Sequence, residues 1–573
     1  MAIILNKGRI TSTPSIPLNT SYERPSDWTD LPALSQGDEK VYLLVNVGEP
    51  DGSNYMRLKF RGDFTVDWGD GSTTNHATNT DADHEFLWAN APSNSLTSQG
   101  FRQVIVTVTP QAGSQLTEWI LSSTPYVPAD SEYNGSVNHG VCRVKMAGTN
   151  FTNMSLAMYF YTGLQEFEFI GTNNITNFSN TFKGSGIIKV TELDTSNGTN
   201  LNNMFASCNQ LIEIPALDLS SSTNISYMFT TCTCITKLPK MTLPVSCTNL
   251  QYVFYNCYKL QEVPFTSFPG VTNFFGAFSG TAIREFNYST PAITNAQQMF
   301  NGTTLLQTAI LRDIPVGQFT NISYIFGSCG SLTYIKPFDT SGVINFRNCF
   351  SGIKHDMDLS WVDTSSGTNF EAMFKNSYLK DVSWLNVTSS ATQVKDIFSG
   401  CSILVKLPTS MDLTNCASFN TSFYYCQSIR RLPTFINSGN ITNLYRAFTG
   451  CFLLEEAPAF SGNQFTTVRE AFMHCRSLMT APQYDLSLIV SYPNSYNAFQ
   501  SCYNLRKSLI TTSKSEISYA NCSLSRAEIV NIFNNLQTSV DNRTIFIASN
   551  PGSEDLTASD LLIATNKGWT VSS

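Results

Sequence analysis

At 573 residues the chain exceeds one ordinary compact core, so it predicts either two to four domains or one extended repeat array. Hydrophobic residues make up 42% and charged residues only 14%, with Ser, Thr and Asn in their place, which argues against global disorder and for a β-rich extracellular or virion protein. The net charge of −8, with no basic block, argues against a nucleic-acid partner, and no run of 18 apolar residues is present to insert in a membrane.

The first segment, "MAIILNKGRITSTPSIPLN", has an apolar run of four residues, Ala2 to Leu5, too short for the core of a secretion signal. The expectation is therefore export by another route, such as release inside an assembled virus particle. Residues 1–35, rich in Ser, Thr and Pro, read as an extended attachment arm that docks on a larger assembly.

Residues 36–112 alternate as strands do, in "VYLLVNV", "YMRLKF", "FTVDWGDGS" and "RQVIVTVTP". Trp68 is placed to anchor a core, Gly69 and Gly71 to allow a turn of positive φ, and Asp70 to cap that turn with its carboxylate. Asp67-Trp68-Gly69-Asp70-Gly71, His84-Glu85-Phe86 and Val104 to Val108 resemble the polycystic-kidney-disease (PKD) type of domain over about 70 residues, which implies a small immunoglobulin-like β-sandwich. Asp67, Asp70, Asp81 and Asp83 do not follow the EF-hand ligand order, and whether this turn takes calcium stays open. Arg61-Gly62-Asp63 reads as a chance triplet between two strands. Residues 113–145 read as a linker and N-terminal cap.

From residue 146 to 512 a repeat takes over. Phe recurs at 160, 182, 205, 229, 254, 278, 300, 326, 350, 374, 398, 423, 448, 472 and 499, at intervals of 22 to 27 residues. Asn stands five before Phe in eleven of the fifteen units, suited to a ladder of side-chain amides at the turns. Cys stands three after Phe in nine units, and Ser185, Thr281, Thr303 and Ser377 replace it elsewhere. A metal ligand or nucleophile would not be exchanged for Thr so freely, so the column reads as small buried residues that pack, with neither disulfides nor zinc. The recurring Met-Phe-x-x-Cys-x-x-Leu is similar to the BspA-like leucine-rich repeat of bacterial surface proteins and some phage virion proteins. The resemblance implies a mainly β solenoid of about 15 coils of ~24 residues, in which stacked coils bury what one coil cannot.

Residues 513–573 predict a small α/β cap. Ser525 to Glu528 reads as a capping box ahead of a helix carrying Ile529, Ile532, Phe533 and Leu536. A strand "RTIFIAS", a helix "LTASDLLIATNKG" and a last strand "WTVSS" follow.

No pair among the five histidines has metal-ligand spacing, and no nucleotide-binding, hydrolase or zinc-protease motif is present. The carboxylate pairs Glu455–Glu456 and Asp356–Asp358 are the only acid–base candidates, and adjacent strand residues point to opposite faces. No catalytic residue, metal or cofactor is expected. Two residues after the Leu of each coil comes an outward position, occupied by Glu213, Lys237, Glu262, Glu285, Tyr334, Lys406, Arg431, Glu456, Thr480 and Lys507. Each alone reads as solvated sheet; together, Thr480 apart, they are the candidate recognition face. The expected function is a non-enzymatic virion structural protein, a phage tail or head fibre, that adheres to a host receptor through its solenoid. A bacterial cell-surface adhesin and a tail-associated polysaccharide-degrading enzyme are the alternatives. The expected partners are other virion proteins through the arm, a host surface glycan or protein, and a second copy of the chain.

Overall fold

The computed structural model describes residues 22–49, 54–121, 140–462, 464–489, 493–538 and 543–573, so most of the expected arm lies outside the described residues. The chain is mainly β, a solenoid of about 18 turns with few helices. It divides into two compact units, residues up to 284 with 288–293, and residues 285–287 with 294–573.

The first unit opens with two sheets. One contains β1 (Lys40–Val47), β3 (Phe64–Asp67), β4 (Thr73–His76) and β6 (Arg102–Pro110), the other β2 (Tyr55–Arg61), β5 (Asp81–Glu85) and β7 (Glu118–Leu121). Strand β2 alternates buried and half-exposed residues, as a strand with one face on a core must, and Phe60, Phe64, Trp68 and Trp119 fill the space between the sheets. β7 lies in the stretch read as linker and pairs with β2. The Asp70 carboxylate accepts from the Ser72 N–H at 3.1 Å, the turn cap expected from the sequence.

The first sheet does not end with the sandwich. β8 (Val141–Ala147) runs antiparallel to β1, and on its other edge pairs parallel with β9 (Glu166–Ile170), which pairs parallel with β10 (Lys189–Glu192). The solenoid thus grows from the sandwich sheet, and the boundary read between residues 145 and 146 falls inside β8. Residues 22–35 form no strand, but Trp28 and Leu31 are buried against Tyr42, Leu44 and Cys142, so this part of the expected arm shares the domain's core.

Within each coil the Phe ring stacks on the next. In the first unit Phe182, Phe205, Phe229 and Phe254 follow one another at 5.1–5.4 Å, with rings within 11° of parallel. In the second, Phe300 to Phe499 continue at 5.1–6.2 Å, within 18° of parallel except for Phe398 and Phe423 at 40°, and Tyr519 takes the Phe place against Phe499 at 5.4 Å. At the start, Asn153 bridges Asn177, which puts Met158, not Phe160, at the buried anchor position. Phe160 is 46% exposed at a corner, where its ring lies over Gly184. Tyr519 breaks the Phe spelling, so its turn falls outside a count of about 15 made on Phe alone, whereas the Met158 coil was counted through Phe160.

The Cys column does more than pack. Ten thiols, from Cys208 to Cys522, each point at a carbonyl of the coil before, at 2.9–3.2 Å: Cys208 to Phe182 O, Cys426 to Phe398 O, Cys522 to Phe499 O. Ser377 Oγ donates to Phe350 O at 2.6 Å in the same way. A buried carbonyl without a donor costs about 1–3 kcal/mol, which explains why Ser replaces Cys here. Burial pushes the thiols of Cys208, Cys257, Cys401 and Cys451 up to about 12, so they stay protonated and can donate.

Two sets of Asx turns hold the corners. Asn177, Asn224 and Asn249 each accept the N–H two residues on, and Asn273 Nδ2 reaches Asn249 Oδ1 at 3.1 Å, the expected ladder. A second, unforeseen set comes from Asp194, Asp218, Asp339, Asp358, Asp363, Asp381, Asp412 and Asp485, each accepting from the second N–H after it.

The end of the chain forms α1 (Arg526–Asn535) and α2 (Ala558–Thr565) on a parallel sheet of Ile517–Ser518, Arg543–Phe546 and Trp569–Ser572. Only half of the expected capping box forms. Ser525 Oγ accepts from Glu528 N, but the Glu528 carboxylate turns to Ser508 N at 2.9 Å. The reciprocal box belongs to Thr557 and Asp560 at α2.

Phe229→Ala, at a fully buried ring between two others, should cost about 3–5 kcal/mol. Hydrogen exchange should then rise in adjacent coils while the sandwich stays protected. Of the fifteen cysteines only Cys234 is not buried. A thiol reagent should therefore label about one site on the native chain and the remainder only after denaturation.

Candidate recognition surface

All nine residues of the expected face are exposed. In the first unit Glu213, Lys237 and Glu262 follow in successive coils. In the second, Glu285, Tyr334, Lys406, Arg431, Glu456 and Lys507 occupy the outward sheet position, Tyr334 opposite Thr308, Lys406 opposite Asp381 and Lys507 opposite Thr480. The charges pair along the stack. Lys189 meets Glu213 at 3.0 Å, Lys237 meets Glu262 at 3.5 Å, and Lys406 meets Asp381 at 2.9 Å. Hydrogen bonds from Ser383, with Lys406 beside them, hold Asp381 down at about 2. Such exposed pairs add little stability. Their main effect is to neutralise the face and fix the register of neighbouring coils.

The acid–base candidates disperse. Glu455 is paired with Arg430 at 3.0 Å, Asp356 with Lys380 at 3.4 Å, and Asp358 accepts from Ser360 N. In the sandwich, Asp81 and Asp83 are taken by Arg57 and Lys59, and Asp70 by Ser72 and His84. Among the described residues no cluster of three His, Cys, Asp or Glu is placed to hold a metal. The Arg61-Gly62-Asp63 side chains are also engaged, Arg61 with Glu118 and Asp63 with the Thr78 N–H.

A different feature lies at the corner of the coils. The chain turns around each Phe through two left-handed residues, two before and two after it. The first column runs Asn180, Asn203, Tyr227 and Tyr252 in the first unit, and Asp396, Thr421, Arg446 and Glu470 in the second. The other runs Asn376, Gly400, Tyr425, Gly450 and His474 in the second unit. Gly and Asn suit such a position; a bulky side chain there costs about 1–2 kcal/mol. Tyr425, at φ 56°, is held there all the same.

Between these columns in the second unit lies a groove of about 450 Å³. Lys375, Asn376, Asp396, Thr421, Tyr424, Tyr425 and Arg446 line it. Gly400 leaves its floor without a side chain, whereas Gly450 lies under the Tyr425 ring, where a Cβ would come within 3.1 Å of ring carbons. Tyr424 and Tyr425 meet edge to face at 4.6 Å. The polar groups are tied down: Thr421 Oγ1 donates to Asp396 at 2.7 Å, Lys375 pairs with Asp396 at 3.5 Å, and Arg446 Nε donates to Glu470 at 2.6 Å. Beyond it, Arg446 and Arg469 both lie over the Tyr445 ring. Sequence reading missed this site. Its signal is the "YYC" of Tyr424 to Cys426, where the other coils, His474 apart, put a small or amide residue before Cys.

Tyr425→Asn installs the residue that Asn256 and Asn376 supply at the same corner. Relief of the left-handed strain should leave the unfolding free energy unchanged or raise it, by about 1 kcal/mol at most. A clear loss in denaturant titration would make the ring a structural element instead.

The sequence profile of a family described as "Mycoplasma protein of unknown function, DUF285" matches residues 149–268, 266–377 and 320–436. No curated protein matches the chain. Among solved structures, a leucine rich cell surface protein from Faecalibacterium prausnitzii A2-165 is 18% identical, covering 56% of this chain and 89% of its own at a TM-score of 0.32. A leucine-rich repeat protein from Bacteroides ovatus ATCC 8483 is 15% identical, over 71% and 90% of the two chains at 0.33. Another from Eubacterium ventriosum ATCC 27560 is 11% identical, over 64% and 85% at 0.27. The profile matches span half of the sequence through the repeat itself, and the chain belongs to the DUF285 family.

Proposed function

We propose that this protein is a non-enzymatic recognition protein displayed on an outer surface, and that its solenoid makes the contact with a host glycan or protein. The observation that supports this reading is the division of labour inside every coil. The buried positions repeat with small variation: Phe, Cys or Ser, Leu, and the Asn or Asp of a turn. The outward positions of the same coils carry Glu, Lys, Tyr, Arg and Thr in turn on the sheet, and Asn, Tyr, Asp and Arg at the corner. A frame that accepts any side chain outside while holding its backbone fixed suits display over a broad surface, with affinity gathered from many weak contacts.

The surface in question is, in this proposal, that of a virus particle, with residues 1–21 as the attachment arm and the PKD-type sandwich as its mount. A bacterial cell surface is the alternative. Two measurements test the reading. Beads coated with the full chain should adhere to host cells, and a variant with Tyr334, Lys406, Arg431 and Lys507 all changed to Ser should adhere less or require denser coating. Host polysaccharide incubated with the chain should release no reducing sugar. Mass spectrometry of purified particles against cell envelopes decides the location. Coated beads that ignore host cells, or sugar release, would overturn the proposal.

A further inference from the structure

We infer that the corner groove at Tyr424 and Tyr425 is a binding site for a neutral oligosaccharide, an inference that rests on the recognition role and names its ligand class. Three observations converge on it. The first is shape: a concavity of about 450 Å³ falls in the range that buries one or two sugar rings. The second is chemistry. A pyranose has a face of C–H groups and a rim of hydroxyls, so it needs an aromatic wall beside fixed donors and acceptors. Tyr425 and Tyr424 supply the wall, and Asn376, Thr421, Asp396, Lys375 and Arg446 the polar rim. Lys375 is paired with Asp396, and Arg446 shares Glu470 with Arg469, so the rim mixes both signs and is held by contacts within the chain.

The third is strain. The corner two after Phe carries Asn376, Gly400 and Gly450 in the flanking coils, all suited to positive φ, and only between them stands a tyrosine. Gly450 leaves room for the ring to lie flat, and Gly400 leaves room for the Asn376 side chain. Tyr227, Tyr252 and Tyr324 hold the same left-handed conformation, so the stack imposes it; at Tyr425 it fixes the ring against Gly450 at the edge of the groove.

The test uses the full chain and four probes: maltotetraose, cellotetraose, chitotetraose and, as the anionic control, sialyllactose. Saturation-transfer NMR and calorimetric titration should find at least one neutral probe bound at millimolar affinity or better, with sialyllactose weaker. Tyr425→Asn should weaken that binding by about tenfold or more while folding stability holds, and Tyr425→Phe should retain it. Val316→Ala, at an exposed position outside the groove and the sheet face, should leave it unchanged. The inference is overturned if none of the three neutral probes binds, if sialyllactose binds best, or if Tyr425→Asn binds as well as the parent. Host-cell adhesion that persists alongside any of these results would leave the recognition role standing with a protein or another surface as its target. Loss of adhesion together with sugar binding in the parent would sink both.

Discussion

Every coil has to present its backbone N–H groups to the carbonyls of the next at the spacing of neighbouring strands, about 4.8 Å, and most other features of the molecule follow from that constraint. It is what brings identical side chains into columns. Phe229 N donates to Val253 O at 2.9 Å, and the ring of Phe229 consequently stacks on that of Phe254 at 5.4 Å. The Phe carbonyl turns inward, away from the sheet ladder, and accepts both the N–H three residues on in its own coil and the thiol of the following coil, as Phe205 O does from Cys208 N and Cys232 Sγ. The corners close only by left-handed residues, and Asx turns fix the residues that lead into them.

The same constraint decides where variety is permitted. Inside, a change at one coil is felt by the coil on each side, so the spelling stays narrow. Outside, a side chain projects beyond the stack and meets only its two neighbours, as in the Lys189–Glu213 and Lys237–Glu262 pairs. On the sheet face Glu213, Lys237, Glu262 and Lys406 are held in such pairs. At the corner the Tyr425 ring instead meets Tyr424 and Phe452 and lies over Gly450.

Much of this architecture was legible in the residues. The period of about 24, the Asn ladder, the buried Phe column and the cap helices are consequences of side-chain type at regular spacing, and spacing is what a sequence displays directly. What stayed hidden depends on direction. That the Cys column donates hydrogen bonds requires knowing where the Phe carbonyls point. That Met158 and Tyr519 hold Phe places requires the bridge of Asn153 to Asn177 and the stack on Phe499. The Asp turns were spelled out as "LDTSN", "LDLSS", "VDTSS" and "MDLTN", but a short polar motif has many meanings until the backbone around it is known. The groove was hidden for the same reason: that Tyr424 and Tyr425 border one concavity with Asn376 and Arg446 is seen only once the coils are stacked.

The buried thiol column also bears on the order of events during folding. In the unfolded chain all fifteen sulfurs are accessible, close to their ordinary acidity, and brought near one another by a period of about 24 residues. Thiolate attack and disulfide exchange proceed readily in that state and would cross-link coils out of register. In the folded chain fourteen of the fifteen are buried, and the ten of the column each point at a carbonyl. The stack therefore has to close before an oxidant reaches the chain if the coils are to stay in register, and once closed it shields every sulfur but that of Cys234.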